Sequence, residues 1–280
     1  MFWAGRSNST GVGRRGGRLA PVLALLVVAA AVLPAQADGL RIGVFGQDPP
    51  RSFSDEHGQL AGFDIDVARA LCAQLRYRCD LVPMEWSALI PRLEAREIDA
   101  VVASMSITDE RRKRVDFTRP YYVSPARFVV RNGMLTDADW RQLKGKRIGV
   151  RRGTTFDHYI TDKYAGDAEV VRYSTQPGAL LDLVLGRLDL VIGDALVLEA
   201  TFLNGAQAQD FGFVGRPLTD PRWFGYGHGI AVAKNDRGLR TLLDRAIADI
   251  HVNGVFDRIR RRWFGGDLRV SEAEPPTNPE

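Results

Sequence analysis

Polar side chains follow the ends of three predicted strands. The stretch AVVASM leads through Ser104 and Ser106 into DERRKR, in which Arg111 lies near the start of a predicted helix. RIGVRRGTTFD places Thr155 just after a glycine turn, and LDLVIGD ends in Asp194 before another predicted helix. In an open α/β sheet, ligands bind beyond the carboxyl ends of the strands, where helix N-termini point their N–H groups outward. We therefore expect these side chains to share one site.

The charges of this set complement a zwitterion. A forked pair of bonds from Arg111 suits an α-carboxylate, and Asp194 suits an α-ammonium group, so the sequence predicts an amino-acid site. Each residue also has an ordinary structural interpretation. Arg111 belongs to the basic run RRKR, and such runs are usually solvated, while Asp194 and Thr108 are typical helix N-caps.

The histidines do not indicate catalysis or metal binding. His57, His158, His228 and His251 are scattered, without the spacing of a Ser-His-Asp triad or a metal site. His158 and Glu199 follow strand ends, but both fall within helical patterns and are expected at the surface. We predict no metal and no cofactor.

Strands and helices alternate along the chain, as the apolar periodicity shows. The alternation predicts two α/β units in tandem, with largely parallel sheets flanked by helices. The segment 47–58, rich in proline and polar residues, is expected to be a loop. The predicted strands are 40–45, 79–84, 98–105, 126–132, 147–153, 168–173, 188–194 and 228–234, and the main helices are 62–72, 86–97, 140–146, 177–187 and 238–265.

The first 37 residues have the pattern of an export signal. GRRGGR is followed by an apolar run of about 15 residues and by the small-residue site AQA, which predicts cleavage near Ala37 and a periplasmic protein. A membrane anchor is the weaker alternative, because spanning a bilayer takes roughly 20 apolar residues. At the other end, 271–280 lacks periodicity and is expected to be disordered.

The charge of the chain does not indicate a nucleic-acid partner. The formal net charge is +4, and the first 37 residues contain four arginines and no acidic residue. The remainder therefore carries equal numbers of basic and acidic side chains, without the surplus that phosphate binding requires.

Two cysteines, Cys72 and Cys79, lie seven positions apart. In an exported protein such a pair favours a disulfide, because the compartment is oxidising. Zinc binding is the weaker alternative, since two thiols without nearby histidine or cysteine are too few ligands.

Several motifs, in order, resemble the periplasmic polar-amino-acid binding proteins of ABC importers. The match covers roughly residues 40–268, and the lysine/arginine/ornithine- and histidine-binding branch, which has a disulfide at the place of Cys72 and Cys79, is the most similar. The motifs are GFDIDVARALC, WSALIPRLEAREIDAVVASMSITDERRKRVDFTRPYY, LKGKRIGVRRGTT, LVLGRLDLVIGD and NGVFDRIRRRWFG.

The resemblance implies a type II periplasmic-binding-protein fold of the Venus-flytrap kind. Two lobes, each a mainly parallel sheet flanked by helices, would be joined by two hinge strands, with lobe 1 at 38–125 plus 225–270 and lobe 2 at 126–224. It implies a monomer that delivers an amino acid to a membrane permease.

The same resemblance implies roles for individual residues. Arg111 matches the carboxylate-binding arginine and Asp194 the ammonium-binding aspartate. Thr155 matches an amide donor to the carboxylate, and Trp86 matches an aromatic ring that packs on the ligand side chain. The remaining pair, Ser104 and Ser106, matches residues that bond the α-amino and carboxylate groups.

Departures from the pattern leave the ligand side chain open. The branch that binds cationic side chains carries an acidic residue at Phe45 and a tyrosine at Asp48. Asp48 would keep a cationic ligand, whereas Arg151 and Arg51, which replace an apolar and an aromatic residue, would suit an acidic one. The sequence does not rank these alternatives.

Two further functions remain alternatives to transport. The two-lobed fold also hosts dehydratases that act on cyclic dienyl acids, in which an arginine again holds a carboxylate. A module that senses a ligand for a separate receptor is the third hypothesis.

Overall fold

A computed structural model of the protein describes residues 39–136 and 140–265. The predicted export segment and the predicted disordered tail lie outside the described residues. Thirteen strands are described: β1 (Gly39–Phe45), β2 (Gln47–Asp48), β3 (Ser52–Ser54), β4 (Leu60–Ala61), β5 (Arg78–Met84), β6 (Ala100–Ser106), β7 (Val115–Phe117), β8 (Ala126–Arg131), β9 (Arg147–Arg151), β10 (Glu169–Tyr173), β11 (Leu190–Asp194), β12 (Phe211–Leu218) and β13 (His228–Ala233).

Ten α-helices are described alongside these strands. Short helical turns add Trp86–Ala88, Glu199–Leu203 and Ala206–Asp210, and no described helix is long and apolar enough to cross a membrane. The α-helices are α1 (Phe63–Leu75), α2 (Leu89–Glu94), α3 (Asp109–Arg112), α4 (Trp140–Leu143), α5 (Thr155–Tyr164), α6 (Gln176–Val184), α7 (Ala195–Leu198), α8 (Pro221–Phe224), α9 (Arg237–Val252) and α10 (Val255–Phe264).

Two five-stranded sheets form the framework. The first has the order β5-β1-β6-β13-β7 and the second the order β10-β9-β11-β8-β12. In each sheet three neighbouring strands run parallel, and a strand from a more distant part of the chain pairs antiparallel beside them: β13 next to β6, and β8 next to β11.

Both sheets are buried on both faces, which explains the nearly continuous apolar runs in their central strands. Successive residues of β6 alternate between two hydrophobic clusters: Ala100 and Val102 pack with α1 and α9, while Val101 and Ala103 pack with α2. In β11, Leu190 and Ile192 face one cluster and Val191 the other. The period of two therefore fixes which side chains each helical layer covers.

The chain crosses between the sheets twice, at 118–125 and 219–227. The middle of the first crossing pairs with the start of β13: the Tyr121 N–H donates to the carbonyl oxygen of His228, and the His228 N–H donates to that of Tyr122. The two crossings therefore run side by side, as expected for a pair of hinge strands.

The predicted disulfide is confirmed, since Cys72 near the end of α1 is bonded to Cys79 in β5. Several strands escaped prediction. β2 and β3 lie within the expected loop and form a small antiparallel sheet with β4, which follows the loop, and β7 was also not predicted. β12, which pairs antiparallel with β8 at a sheet edge, was also missed.

Candidate functional site

Arg111 lies at the carboxyl end of β6. Thr108 caps α3 by accepting a hydrogen bond from the Arg111 N–H at 3.2 Å, and the Arg111 side chain turns back so that Nη1 donates to the Ser106 carbonyl oxygen at 2.8 Å. No carboxylate of the described residues forms an ion pair with this guanidinium. Burial and the nearby charge of Arg151 lower the pKa of Arg111 to about 10. The site thus holds a cation that lacks a protein counter-ion.

Asp194 ends β11 and caps α7. Its Oδ1 accepts from the Val197 N–H at 3.2 Å and from the Ser124 hydroxyl at 2.8 Å. Its Oδ2 is buried and accepts no hydrogen bond from the described residues, although His228 Nε2 and Arg51 Nη1 lie 3.4 and 3.7 Å away. Burial opposes ionisation, but His228 and Arg51 outweigh it and lower the pKa of Asp194 below its ordinary value.

Asp48, at the end of β2, is held between two arginines. Its Oδ2 lies 2.6 Å from Arg51 Nη2 and 2.9 Å from Nη1 of Arg151, which ends β9 in the second sheet. All three side chains are at least nine-tenths buried. Burial alone would raise the pKa of Asp48, but Arg151 and Arg51 together lower it. Asp48 is therefore a carboxylate at neutral pH, neutralised by the protein itself.

Trp86 connects the two sheets. The residue follows β5, and its Nε1–H donates to the carbonyl oxygen of Gly153, just after β9, at 3.2 Å. The Trp86 ring centroid lies 5.4 Å from the guanidinium carbon of Arg111 and 4.9 Å from that of Arg151. Two cations thus contact one indole ring, an arrangement that cation–π attraction supports.

Asp64, in the first turn of α1, forms the deepest part of the site. It accepts hydrogen bonds from the Ser104 hydroxyl at 2.9 Å and from the Tyr121 hydroxyl at 2.7 Å. Burial raises the pKa of Asp64 to about 6, against the opposing charge of Arg51. Ser104 itself has a φ of 46°, a left-handed conformation that non-glycine residues rarely adopt and that often occurs at functional sites.

A cavity of about 650 Å³ opens beside these groups. Of the predicted site residues, Trp86, Arg111 and Thr155 line it, whereas Asp48, Arg151, Asp194 and the two serines are packed outside its lining. Thr155 is the first residue of α5, so its N–H has no partner within the helix. The cavity therefore gives access to the unpaired cation and to the N-terminus of α5, whose Asp157 N–H is capped by Thr154.

The sequence matches one protein family over residues 40–266, nearly the whole described part of the chain. The chain belongs to the bacterial extracellular solute-binding proteins, family 3. This confirms the family suggested by the sequence motifs.

Relatives of this solute-binding protein share its fold. It is 44% identical over 230 residues to the L-arginine-binding protein of Pseudomonas aeruginosa, a match that covers 82% of this chain and 89% of the relative. A solved structure of an ancestral arginine-binding protein bound to arginine has 32% identity and a TM-score of 0.73, covering 82% of this chain and all of the other. The two-lobed type II fold predicted from the sequence is thereby confirmed.

A third relative bears on the enzymatic alternative. The structure of an ancestral amino acid-binding protein, described as a precursor of cyclohexadienyl dehydratase, has 26% identity and a TM-score of 0.70, covering 81% of this chain and 95% of the other.

A series of contacts links several of the predicted site residues across both sheets. Trp86 contacts Arg111 and Arg151, Asp48 pairs with Arg151 and Arg51, and Arg51 lies 3.7 Å from Asp194. Sequence reasoning did not include Asp64 among the candidate site residues and treated His228 as one of four scattered histidines, yet Asp64 bonds to Ser104 and His228 lies 3.4 Å from Asp194. Two signals in the sequence could have identified these residues. Asp64 follows a strand-like segment, and His228 is the first residue of β13. His158 is exposed on α5 at the cavity wall, and the described residues contain no cluster that could hold a metal ion.

Proposed function

We propose that this solute-binding protein captures a free amino acid in the periplasm and delivers it to the membrane permease of an ABC importer. The observation that carries the proposal is a pair of opposite needs, which a series of contacts through Trp86, Arg151, Asp48 and Arg51 connects. Arg111 is a guanidinium without a protein carboxylate, and Asp194 has a buried oxygen without a hydrogen bond. An amino acid supplies the missing carboxylate and the missing ammonium group together.

Each α-group then has an assigned partner. Arg111 and the N–H of Thr155 bind the α-carboxylate, and the Ser106 hydroxyl adds a donor. Asp194 Oδ2 accepts from the α-ammonium. The Ser104 hydroxyl donates to Asp64, so its oxygen accepts from the ammonium through a free lone pair.

Trp86 packs on the ligand side chain, as an aromatic ring at the cavity wall suits. Asp48 and Arg151 lie behind that ring and determine which side chains fit.

Ligand capture is expected to involve closure of two lobes, 38–125 plus 225–270 and 126–224. The contact between Trp86 and Gly153 and the ion pair between Asp48 and Arg151 join groups from these two parts of the chain. Contacts of this kind form only in the closed arrangement, so a ligand that bridges the same parts shifts the population toward it. The protein works as a monomer, and closure presents the face that the permease recognises.

The named ligands of the relatives support the amino-acid class. Several relatives are arginine-binding or lysine/arginine/ornithine-binding proteins. The ancestral relative described as a precursor of cyclohexadienyl dehydratase is itself described as amino acid-binding.

The test is a thermal-shift screen of refolded, ligand-free mature protein against the twenty amino acids, ornithine and citrulline. A ligand that binds only the folded state raises the melting temperature. We expect at least one free amino acid to raise it, whereas its α-amide and its des-amino analogue do not. Failure of every amino acid contradicts the proposal. Chromatography of the ligand after incubation must return it unchanged, since product formation would establish the dehydratase hypothesis instead.

A further inference from the structure

Arg151 lies where the side chain of a ligand is expected to pack. Its guanidinium carbon is 5.2 Å from the ring centroid of Phe45 and 4.9 Å from that of Trp86, whose rings are 6.1 Å apart at 75°. These two rings meet edge to face, and we call the corner that they form the aromatic slot. A guanidinium belonging to the protein already fills it, and only 5% of Arg151 is exposed.

The carboxylate beside the slot is also engaged. Asp48 Oδ2 contacts both Arg51 and Arg151 at ion-pair distances. A cationic ligand side chain would have to displace one of these fixed guanidiniums before it could pair with Asp48. The buried arginine would then be left without its counter-ion, which is strongly unfavourable.

The formal charges of the arginines and aspartates in the site balance. Arg51, Arg111 and Arg151 match Asp48, Asp64 and Asp194 in number, and the α-groups of an amino acid add one charge of each sign. A ligand side chain with a charge of either sign would upset this balance in a buried environment, at a cost in desolvation. The cluster therefore favours an uncharged side chain.

Two hydrogen-bonding atoms of the cluster lack partners of good geometry among the described residues. They are Oδ1 of Asp48, which can only accept, and Nη1 of Arg151, which lies 2.9 Å from Asp48 Oδ2 and carries a second N–H that can only donate. Buried polar atoms are normally satisfied, so the ligand is expected to supply both a donor and an acceptor. A primary carboxamide has an NH₂ donor and a carbonyl acceptor on one carbon.

We propose that Arg151 determines specificity by occupying the aromatic slot, so that this protein excludes cationic side chains and selects amino acids with a carboxamide side chain, glutamine or asparagine. The inference rests on the proposed function and narrows it. It is argued from the buried arginines of this chain alone.

The direct test is calorimetry of the ligand-free wild-type protein with matched ligands. Glutamine and glutamate, like asparagine and aspartate, differ only in NH₂ against O⁻, and leucine is close in size to asparagine but lacks both hydrogen-bonding groups. We expect one of the two amides to bind at least tenfold more tightly than its acid, than arginine and than leucine. Preference for arginine, for an acid or for leucine overturns the inference while leaving the proposed function intact. Absence of binding by any amino acid overturns the proposed function.

A variant tests the role of Arg151 itself. Arg151→Leu vacates the slot and leaves Asp48 with one arginine, so arginine affinity should rise at least tenfold and amide affinity should fall. Arg152→Leu is the matched control, because Arg152 is the exposed neighbour of Arg151, and it should keep the wild-type order. Unchanged arginine affinity in a folded Arg151→Leu protein overturns the assignment. If that variant does not fold, the wild-type ligand series still decides the question.

Discussion

Arg111 and Arg151 contact the same indole ring, but their charges are met in opposite ways. Arg111 borders an open cavity, donates to a backbone carbonyl oxygen and has no acidic partner among the described residues. Arg151 is packed behind the ring and shares a carboxylate with Arg51. The first guanidinium has no carboxylate partner among the described residues, and the second is neutralised by a carboxylate of the protein.

This difference separates affinity from specificity. A charge that only the ligand can satisfy contributes binding energy for any amino acid. An ion pair that the protein completes by itself contributes little to general affinity, but it occupies space and fixes which side chains are tolerated. Four substitutions test this division.

The largest expected effect is that of Arg111→Ala. Loss of the charge-assisted bonds to the carboxylate should weaken binding by about 2 to 5 kcal/mol, which calorimetry would register as loss of detectable binding. Lys113→Ala is the control, since Lys113 is exposed and pairs with Glu110 at the surface. Retention of wild-type affinity in Arg111→Ala would assign the carboxylate to another group.

Asp64→Asn tests the acidic partner deepest in the site through the pH dependence of stability. The native pKa of Asp64, about 6, lies above its ordinary value of 3.8. The native state therefore holds this proton more tightly than the unfolded chain does, and the contribution to stability is greatest below about pH 4 and falls as the pH rises through 6.

The variant has no such proton. Relative to wild type, its free energy of unfolding should gain up to about 3 kcal/mol between about pH 4 and pH 7, measured by urea unfolding. Because both proteins share all other titrating groups, the comparison isolates Asp64. A difference that is equal at the two pH values would show that the pKa is not raised.

Replacing both Cys72 and Cys79 by serine tests a region that is not expected to contribute to the roles of Arg111 and Arg151. The disulfide closes a short loop, so its removal should lower the free energy of unfolding by about 2 kcal/mol. Affinity should stay within about twofold, since the disulfide ties the far end of α1 to β5. A large loss of affinity in the folded variant would mean that α1 transmits strain to Asp64.

Trp86→Ala removes the wall shared by the two arginines. Loss of the aromatic contact should weaken binding by roughly 1 to 2 kcal/mol while keeping the requirement for free α-groups. Trp86→Phe keeps a ring but loses the hydrogen bond to Gly153, so its affinity should lie between those of wild type and Trp86→Ala. An altered α-group requirement in either variant would contradict the proposed role of Trp86.

The fold was largely predictable because its information is local. Apolar runs such as 98–105 and 188–194 predict buried strands, and α1 and α9 repeat apolar residues at helical spacing. The small sheet β2–β4 was missed because short strands between prolines have no alternation to reveal them. The edge strand β12 carries Gly and Pro and was missed for the same reason.

The sequence indicated the charged candidate residues of the site, but it did not show which side chains pair with one another. Arg111 and Asp194 stand at strand ends, where position alone suggests function. Asp64 gains its role from Ser104 and Tyr121, which are 40 and 57 positions away. Likewise, the sequence shows Asp48 and Arg151 as rival determinants of specificity, and only the three-dimensional arrangement shows that they neutralise each other.

The fluorescence of Trp86 also reports on the contact between the two sheets. Its indole N–H reaches across from the first sheet to a carbonyl oxygen of the second, so separation of the sheets must exchange that partner for water. Indole emission moves to longer wavelength in a more polar environment. Trp263, whose N–H is bonded to Asp66 on α1, should keep a constant emission as a background. The lobe closure that we propose can thus be timed by stopped flow in the unlabelled protein.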